Sequence, residues 1–343
     1  MYRYARTRSD AAARLTDLLK AVKDGMPVPL ERQTVGVFLV TWLEESAKPS
    51  VRPSTYVSYR CLVHKHLIPE IGKVPLAKLM PQQVQAMLNR KAASGHSPRR
   101  AELMRAVLRI ALNQALRWGL VTRNVATLVS VPRVRRLEIR PLDPDEARRF
   151  LEQIRGDRLE ALYSVALAAG LRQGEALGLR WDDVDLGGGL IHVRRALVRI
   201  DGKLELAEPK TSQSRRTIAL PEAVVDRLRM HRARQLEERL WAGEKWVEMG
   251  FVFSTPVGRP LDRSNVTHVF QRHLAAAGLP RQRFHDLRHA CASLLLAQGV
   301  SARVVMDVLG HSQINLTLNT YSHVIPSLRR EAADRMNALF VTP

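Results

Sequence analysis

From Thr34 to about residue 130 the apolar side chains recur at the period of a helix and nowhere alternate at the period of a strand. That pattern confines this half of the chain to a helical fold, because a segment buries a continuous stripe only where its apolar spacing matches its own geometry. Thr34 is placed to cap a helix on which Val35, Phe38, Leu39, Trp42 and Leu43 share one face. Further helices are predicted over 54–66, 81–90 and 98–118, the last stopped by Gly119. Ahead of them, residues 9–25 read as one helix, with Ser9 as cap, Leu15, Leu18, Leu19 and Val22 on one face and Gly25 as stop. Pro27 and Pro29 then break the chain.

The period changes in the second half. Asp143-Pro144-Asp145-Glu146 supplies an N-cap, a proline at the first helical position and a carboxylate at the third, so a helix starts there. Two helices and a corner, Gly170-Leu171-Arg172-Gln173-Gly174-Glu175, come next. Residues 190–200, a turn at Asp201-Gly202, residues 204–206 and residues 216–220 then read as strands of one small antiparallel sheet. Helices return over 221–240, 264–277, 286–298, 301–309 and 312–321, with Gly278 and Gly299 as stops. The expected fold is mainly α with a small antiparallel β-sheet: a helical domain followed by a mixed α+β domain. Its divisions are residues 1–33 (helix and linker), 34–132 (helical domain), 133–141 (basic linker), 142–326 (mixed domain) and 327–343 (tail helix).

Charge narrows the partner. The 343 residues carry 54 Lys and Arg against 33 Asp and Glu, a net +21, and residues 1–140 hold 25 of the basic groups against only 9 acidic ones. An excess of this size is the footprint of a phosphate backbone. Codon use in a GC-rich genome explains why Arg outnumbers Lys, but neither the net charge nor its skew. Arg133, Arg135, Arg136 and Arg140 in the linker, with Arg215 and Arg216 in the second domain, are candidate DNA contacts. No apolar run approaches the roughly 20 residues of a spanning helix, and neither a lipidation motif nor a secretory h-region is found. A membrane partner is therefore not expected, and a cytoplasmic protein is. Cys61 and Cys291, far apart among apolar or small neighbours, read as reduced core thiols.

Several polar residues of the second domain carry chemistry only in company. A tyrosine on a helix, such as Tyr321, is ordinarily a packing residue, and a phenol of pKa about 10 is a poor nucleophile at neutral pH. Arg172 reads either as a surface arginine paired with Glu175 or as an oxyanion clamp. Arg288 reads either as an ion-pair partner of Asp286 or another carboxylate, or as a second clamp. Lys210 lies in a donor-rich hairpin loop, where it is by position a generic DNA-contacting lysine. His285 and His289 stand four apart on one helical face and, with His311, mimic a zinc site. Against zinc, Arg288 lies between the two histidines, and a dication would compete with Arg172 and Lys210 for the same place. A buried polar pair is the simpler account of His289.

Order joins these residues. The segment Ala168 to Leu177, then Pro209-Lys210-Thr211 with Arg215-Arg216-Thr217-Ile218, then His285-Asp286-Leu287-Arg288-His289, then Leu309-Gly310-His311-Ser312, then Thr320-Tyr321-Ser322-His323-Val324, resembles the catalytic domain of the tyrosine recombinase (phage integrase) family over roughly residues 142–326. Residues 34–133, through their helix pattern and Ile71-Gly72-Lys73-Val74-Pro75-Leu76, resemble that family's core DNA-binding domain. Met1 to Gly25 resembles only the last helix of an arm-binding domain, without the strands expected before it.

The resemblance implies site-specific recombination of double-stranded DNA at attachment sites, for integration or excision of a phage or mobile element. Tyr321 would attack the scissile phosphate to give a 3′-phosphotyrosine and a free 5′-hydroxyl. Arg172 and Arg288 would hold the non-bridging oxygens, Lys210 would be the general acid, His285 a proton acceptor or phosphate donor, and His311 a further hydrogen-bond donor. Glu175, orienting Arg172 or His285, and His289 would support them. No metal, ATP or other cofactor is implied, because one phosphodiester is exchanged for another. The expected assembly is a homotetramer on DNA, with a host bending protein or directionality factor as further partners. The apolar residues of 327–343 either pack on their own domain or dock on a neighbouring protomer. Two other functions share the same residues: a topoisomerase IB-like relaxing enzyme, and a catalytically silent DNA-binding regulator.

Overall fold

The computed structural model describes residues 33–131, 140–208 and 215–310, with isolated positions 7–9, 12, 16, 336, 337 and 340 nearer the ends. Most of the expected helix 9–25, most of the linker, the helix 312–321 and nearly all of the tail lie outside the described residues. The chain divides into two compact units, Met1–Leu137 and Glu138–Pro343. Both are mostly helical, and the small antiparallel sheets belong to the second.

In the first unit, helix α1 (Val35–Trp42) is capped by Thr34, whose hydroxyl accepts from the Val37 N–H at 3.4 Å. All five residues of the expected stripe are buried, each worth roughly 1.5–3 kcal/mol relative to exposure. Helix α2 (Pro53–Leu62), α3 (Pro81–Ala93) and α4 (Pro98–Arg117) close the bundle. Phe38 packs edge-on against Trp118 at 6.1 Å, and Trp42 stacks on Tyr59 at 5.8 Å.

Two helices run further than the sequence suggests. After α1 a π turn over Leu43–Ala47 carries the helix into Lys48–Ser50, and after α2 a second π turn over Val63–Leu67 carries it into Ile68–Ile71. Each wide turn closes on the residue just before a proline: the Lys48 N–H donates to Leu43 O ahead of Pro49, and the Ile68 N–H to Val63 O ahead of Pro69. A proline ring clashes with the carbonyl four residues back in a regular helix. The extra residue in the turn moves that carbonyl aside, so the proline does not end the helix.

The second unit opens with α5 (Pro144–Gln153), where Asp143 and Glu146 form the expected reciprocal cap at 2.8 and 3.1 Å. Helix α6 (Glu160–Ala169) is buried along nearly its whole length and ends at Gly170. Helix α7 (Gln173–Leu177) follows, then strands β1 (Val184–Asp185), β2 (Leu190–Val193), β3 (Ala196–Ile200), β4 (Lys203–Ala207) and β5 (Arg216–Ala219). Helices α8 (Glu222–Ala242), α9 (Arg263–Ala276), α10 (Asp286–Ala297) and α11 (Ala302–Leu309) complete the described part. Phe150, Tyr163, Phe270 and Phe284 form an aromatic centre of the core, with ring separations from 5.4 to 6.1 Å.

The single expected sheet is in fact two. Residues 190–200 split into β2 and β3; β2 lies between β1 and β5, while among the described residues β3 pairs only with β4. The break falls at Arg194-Arg195, whose guanidiniums turn to the buried Asp183 at 3.4 and 3.1 Å. Placing an ion pair on a buried carboxylate takes both residues out of the ladder, and β5 returns to β2 instead of extending the hairpin.

Candidate active site

Gly170 sets the site. It ends α6 with φ +59, a left-handed turn that a Cβ would strain and also drive to 2.4 Å from Leu309 Cδ2. The turn brings Arg172 to the start of α7. The Arg172 backbone N–H donates to Glu175 Oε2 at 3.0 Å, and its Nη1 donates to Glu175 Oε1 at 2.7 Å. Its Nη2 reaches toward Gly310 O at 3.5 Å. The neighbouring Gln173 anchors α7 to α9, donating to Arg263 O and to Thr267 Oγ1, each at 3.1 Å. Arg172 keeps 39% of its side chain exposed, whereas Glu175 keeps 4%.

Helix α10 brings the second set. His285 stands at its N-terminal end, and Arg288 points back into the fold, where its Nη1 donates to Gly170 O at 2.7 Å. Arg288 is 2% exposed. Asp286 pairs with Arg283 at 2.8 Å. His285 and His289 meet edge to face at 5.1 Å. Arg172, Glu175, His285 and Arg288 thus gather around one backbone turn. The pairing of Arg172 with Glu175 and its placement beside Arg288 coexist.

The electrostatics follow from burial and crowding. Burial alone would raise the Glu175 carboxyl, but Arg216 and Arg172 hold it below its ordinary value. Desolvation lowers His285, and Arg288, Arg283 and Arg172 add to the effect against Asp286. His289 is lowered from 6.5 to about 4, chiefly by burial and then by His285. Both imidazoles are therefore neutral near pH 7, and each has one donor and one acceptor nitrogen. Among the described residues no group of three or more His, Cys, Asp or Glu is placed to hold a metal ion, and no helix is long and apolar enough to cross a membrane. Cys291 is buried, which pushes its thiol up to about 12.

Arg216 corrects an expectation. Read in sequence as a DNA contact, it turns inward with 6% of its side chain exposed, its Nη2 donating to Glu175 Oε2 at 3.1 Å and its Nε to Val308 O at 2.7 Å. The strand period contained the signal: Arg216 and Ile218 lie on the same face of β5, and Ile218 is buried. Arg215, just outside the strand, is exposed and paired with Glu208 at 2.7 Å. Arg140 is likewise exposed and donates to Glu146 at 2.8 Å. A cavity of about 660 Å³ beside β2, β4 and β5 is lined by His192, Arg194, Arg195 and Arg215. The sequence signal for the basic pair Arg194-Arg195 is two arginines interrupting an apolar strand. Lys210, His311, Tyr321, Arg133, Arg135 and Arg136 lie outside the described residues.

The chain is similar to known proteins along most of its length. Residues 140–327 match the Phage integrase family, and residues 34–92 match the family described as Phage integrase, N-terminal SAM-like domain. A protein named Tyrosine recombinase XerC-like from Caldanaerobacter subterraneus subsp. tengcongensis is 32% identical over 98% of this chain and 91% of its own length. An integrase of Streptomyces ambofaciens is 32% identical over 98% of this chain and 88% of its own length. Among solved structures, the Tn1549 transposon integrase in complex with a circular intermediate DNA superposes with a TM-score of 0.74 at 22% identity, over 89% of this chain and 99% of that one. A lambda integrase tetramer bound to a Holliday junction superposes with a TM-score of 0.61 at 18% identity, over 91% of this chain and 90% of that one.

Proposed function

This chain belongs to the phage integrase family of tyrosine recombinases, which are DNA strand-transfer enzymes, and from that membership we propose that it cuts and rejoins DNA at specific sites with Tyr321 as nucleophile. One observation carries the reading. Two guanidiniums, Arg172 and Arg288, are fixed at the Gly170 corner, one by the Glu175 carboxylate and one by the Gly170 carbonyl. Forks held this way present donors to the non-bridging oxygens of a phosphate and stabilise the charge of its transition state.

The Tyr321 oxygen attacks the phosphorus in line, the bond to the 5′ oxygen breaks, and the strand is held as a 3′-phosphotyrosine. Lys210 donates the proton that the leaving 5′ oxygen takes up. His285, neutral at pH 7, accepts the phenolic proton or donates to a phosphate oxygen, and His311 adds a hydrogen bond. The 5′-hydroxyl of a partner strand then attacks the phosphotyrosine and restores the diester. Since one phosphodiester replaces another, the exchange needs no ATP, and the charge-neutralising work falls to arginine and lysine.

Residues 34–132 supply core-site binding, with the linker arginines Arg133, Arg135, Arg136 and Arg140, and with Arg215, on the backbone phosphates. Four protomers assemble on the recombining DNA, aided by a host bending protein or a directionality factor. The matched relatives and the lambda integrase tetramer support this reading over a monomeric relaxing enzyme. The test uses a pool of nicked duplexes with randomised cores, incubated with the protein in EDTA. Capture of a covalent protein–DNA adduct by the parent and none by Tyr321→Phe is expected. An adduct that persists in the phenylalanine variant would falsify the assignment of the nucleophile.

A further inference from the structure

We propose that Arg216 is a positioning residue of the phosphate clamp, which holds Arg172 in a half-neutralised orientation through Glu175 and ties it to the end of α11 through Val308. The inference rests on the reading of Arg172 as a phosphate-binding group.

The hydrogen bonds divide one carboxylate between two guanidiniums. Glu175 Oε1 takes Arg172 Nη1, while Oε2 takes both the Arg172 backbone N–H and Arg216 Nη2. Two cations share one anion, so the trio keeps a net positive charge. Arg216 and Glu175 are 6% and 4% exposed, whereas Arg172 is 39% exposed, and the uncompensated charge therefore faces outward on Arg172. Without Arg216, both carboxylate oxygens would be open to Arg172. An arginine and a carboxylate prefer the two-bond fork, and in that geometry Arg172 would rotate onto Glu175 and become neutralised where the phosphate needs it charged.

The second contact extends the device. Arg216 Nε donates to Val308 O at 2.7 Å, near the C-terminal end of α11, and Arg172 Nη2 reaches Gly310 O just beyond that end. Carbonyls at a helix C-terminus lack partners within the helix, so a buried arginine there serves as a cap as well as a counter-charge. Arg216 also stands at the first position of β5, shortly after Lys210 in the chain. One side chain thus links the strand that follows Lys210 in the chain, the Arg172 clamp and the helix that precedes His311. A purely structural buried ion pair would be weak grounds for this, since such pairs are often replaceable by apolar groups. The sharing of Glu175 with a half-exposed arginine is what an apolar replacement cannot reproduce.

The experiment takes a nicked duplex captured by the parent protein and measures single-turnover adduct formation at saturating DNA. It compares full-length parent, Arg216→Met, Arg216→Lys, Arg172→Ala and the Arg172→Ala/Arg216→Met double variant. Each is measured on the natural phosphate and on a methylphosphonate at the scissile position, where one non-bridging oxygen is an uncharged methyl group. Loss of one charge-assisted positioning contact should slow R216M at least about tenfold on phosphate, with duplex binding unchanged and partial rescue in R216K. On methylphosphonate the loss should largely vanish, and in the R172A background R216M should add little.

Equal loss on both substrates, or additive loss with R172A, overturns the inference in favour of a merely structural role. Weaker duplex binding with an unchanged saturated rate overturns it in favour of a DNA contact, and a parental rate for R216M overturns it outright. Where R216M does not fold, R216K carries the same substrate comparison. An R172A variant that cleaves like the parent refutes the clamp itself, whatever Arg216 does.

Discussion

Glu175 holds two guanidiniums with one carboxylate in a place that water scarcely reaches. Replacing it by glutamine keeps the shape but leaves two cations facing each other, the case in which breaking a buried ion network is most costly. The Glu175→Gln variant is expected to lose about 3 kcal/mol of stability by denaturant titration and most of its adduct formation; a melt like the parent's would show the two arginines to be independent of it. The histidines predict a pH dependence. His285 and His289 are lowered in the fold, His289 from 6.5 to about 4, so the unfolded chain binds their protons first as the pH falls. Stability from these groups is fully present above about pH 6.5 and is lost on acidification toward about pH 4. Thermal unfolding across that window should therefore be steeper for the parent than for His289→Gln, and parallel curves would rule the histidine out as the source.

Gly170 shows how an element boundary becomes a functional position. Its left-handed turn lets Arg172 and Arg288 approach the same corner, and its carbonyl is the acceptor for Arg288. Gly170→Ala forces a Cβ into the left-handed region and against Leu309, so a loss of at least 1–2 kcal/mol is expected (~1–2 from the backbone alone), with a larger proportional fall in cleavage than in duplex binding. Unaltered cleavage would mean that the corner does not set the clamp. The apolar stripe of α1, the capping box of α5 and the corner before α7 were all legible in the sequence, because each is a local pattern with a local cause. Three features were not. The π turns needed the recognition that Pro49 and Pro69 can be accommodated within a helix. The split at Arg194-Arg195 depended on the buried Asp183, a contact across the fold. By its charge alone Arg216 reads as a surface contact, whereas its place on the Ile218 face of β5 turns it inward. The clamp residues themselves were readable only as an ordered set, since each alone has an ordinary structural explanation.

Across the whole molecule the charge is divided unequally: residues 1–137, the first unit, hold 24 Lys and Arg against 8 Asp and Glu, out of 54 and 33 in the full chain. Many arginines of the second unit are also committed internally, Arg158 to Glu238, Arg216 to Glu175, and Arg194 and Arg195 to Asp183. Non-specific affinity for duplex DNA should therefore come mostly from the first unit. Each phosphate neutralised releases counterions, and the logarithm of the binding constant falls with the logarithm of salt by about 0.9 per contact on duplex DNA. The units have separate cores, so residues 138–343 can be compared with the full chain by fluorescence anisotropy on one random-sequence duplex between low and moderate salt. The full chain is expected to bind more tightly with a distinctly steeper salt slope, while the fragment binds weakly with a shallow one. Matching slopes would place the phosphate contacts on the second unit and make the basic excess of the first a matter of solubility. A steeper slope for the full chain assigns the work by unit: the first carries most of the DNA-backbone contacts, and the second keeps many of its arginines in internal ion pairs, Arg216 among them at the clamp.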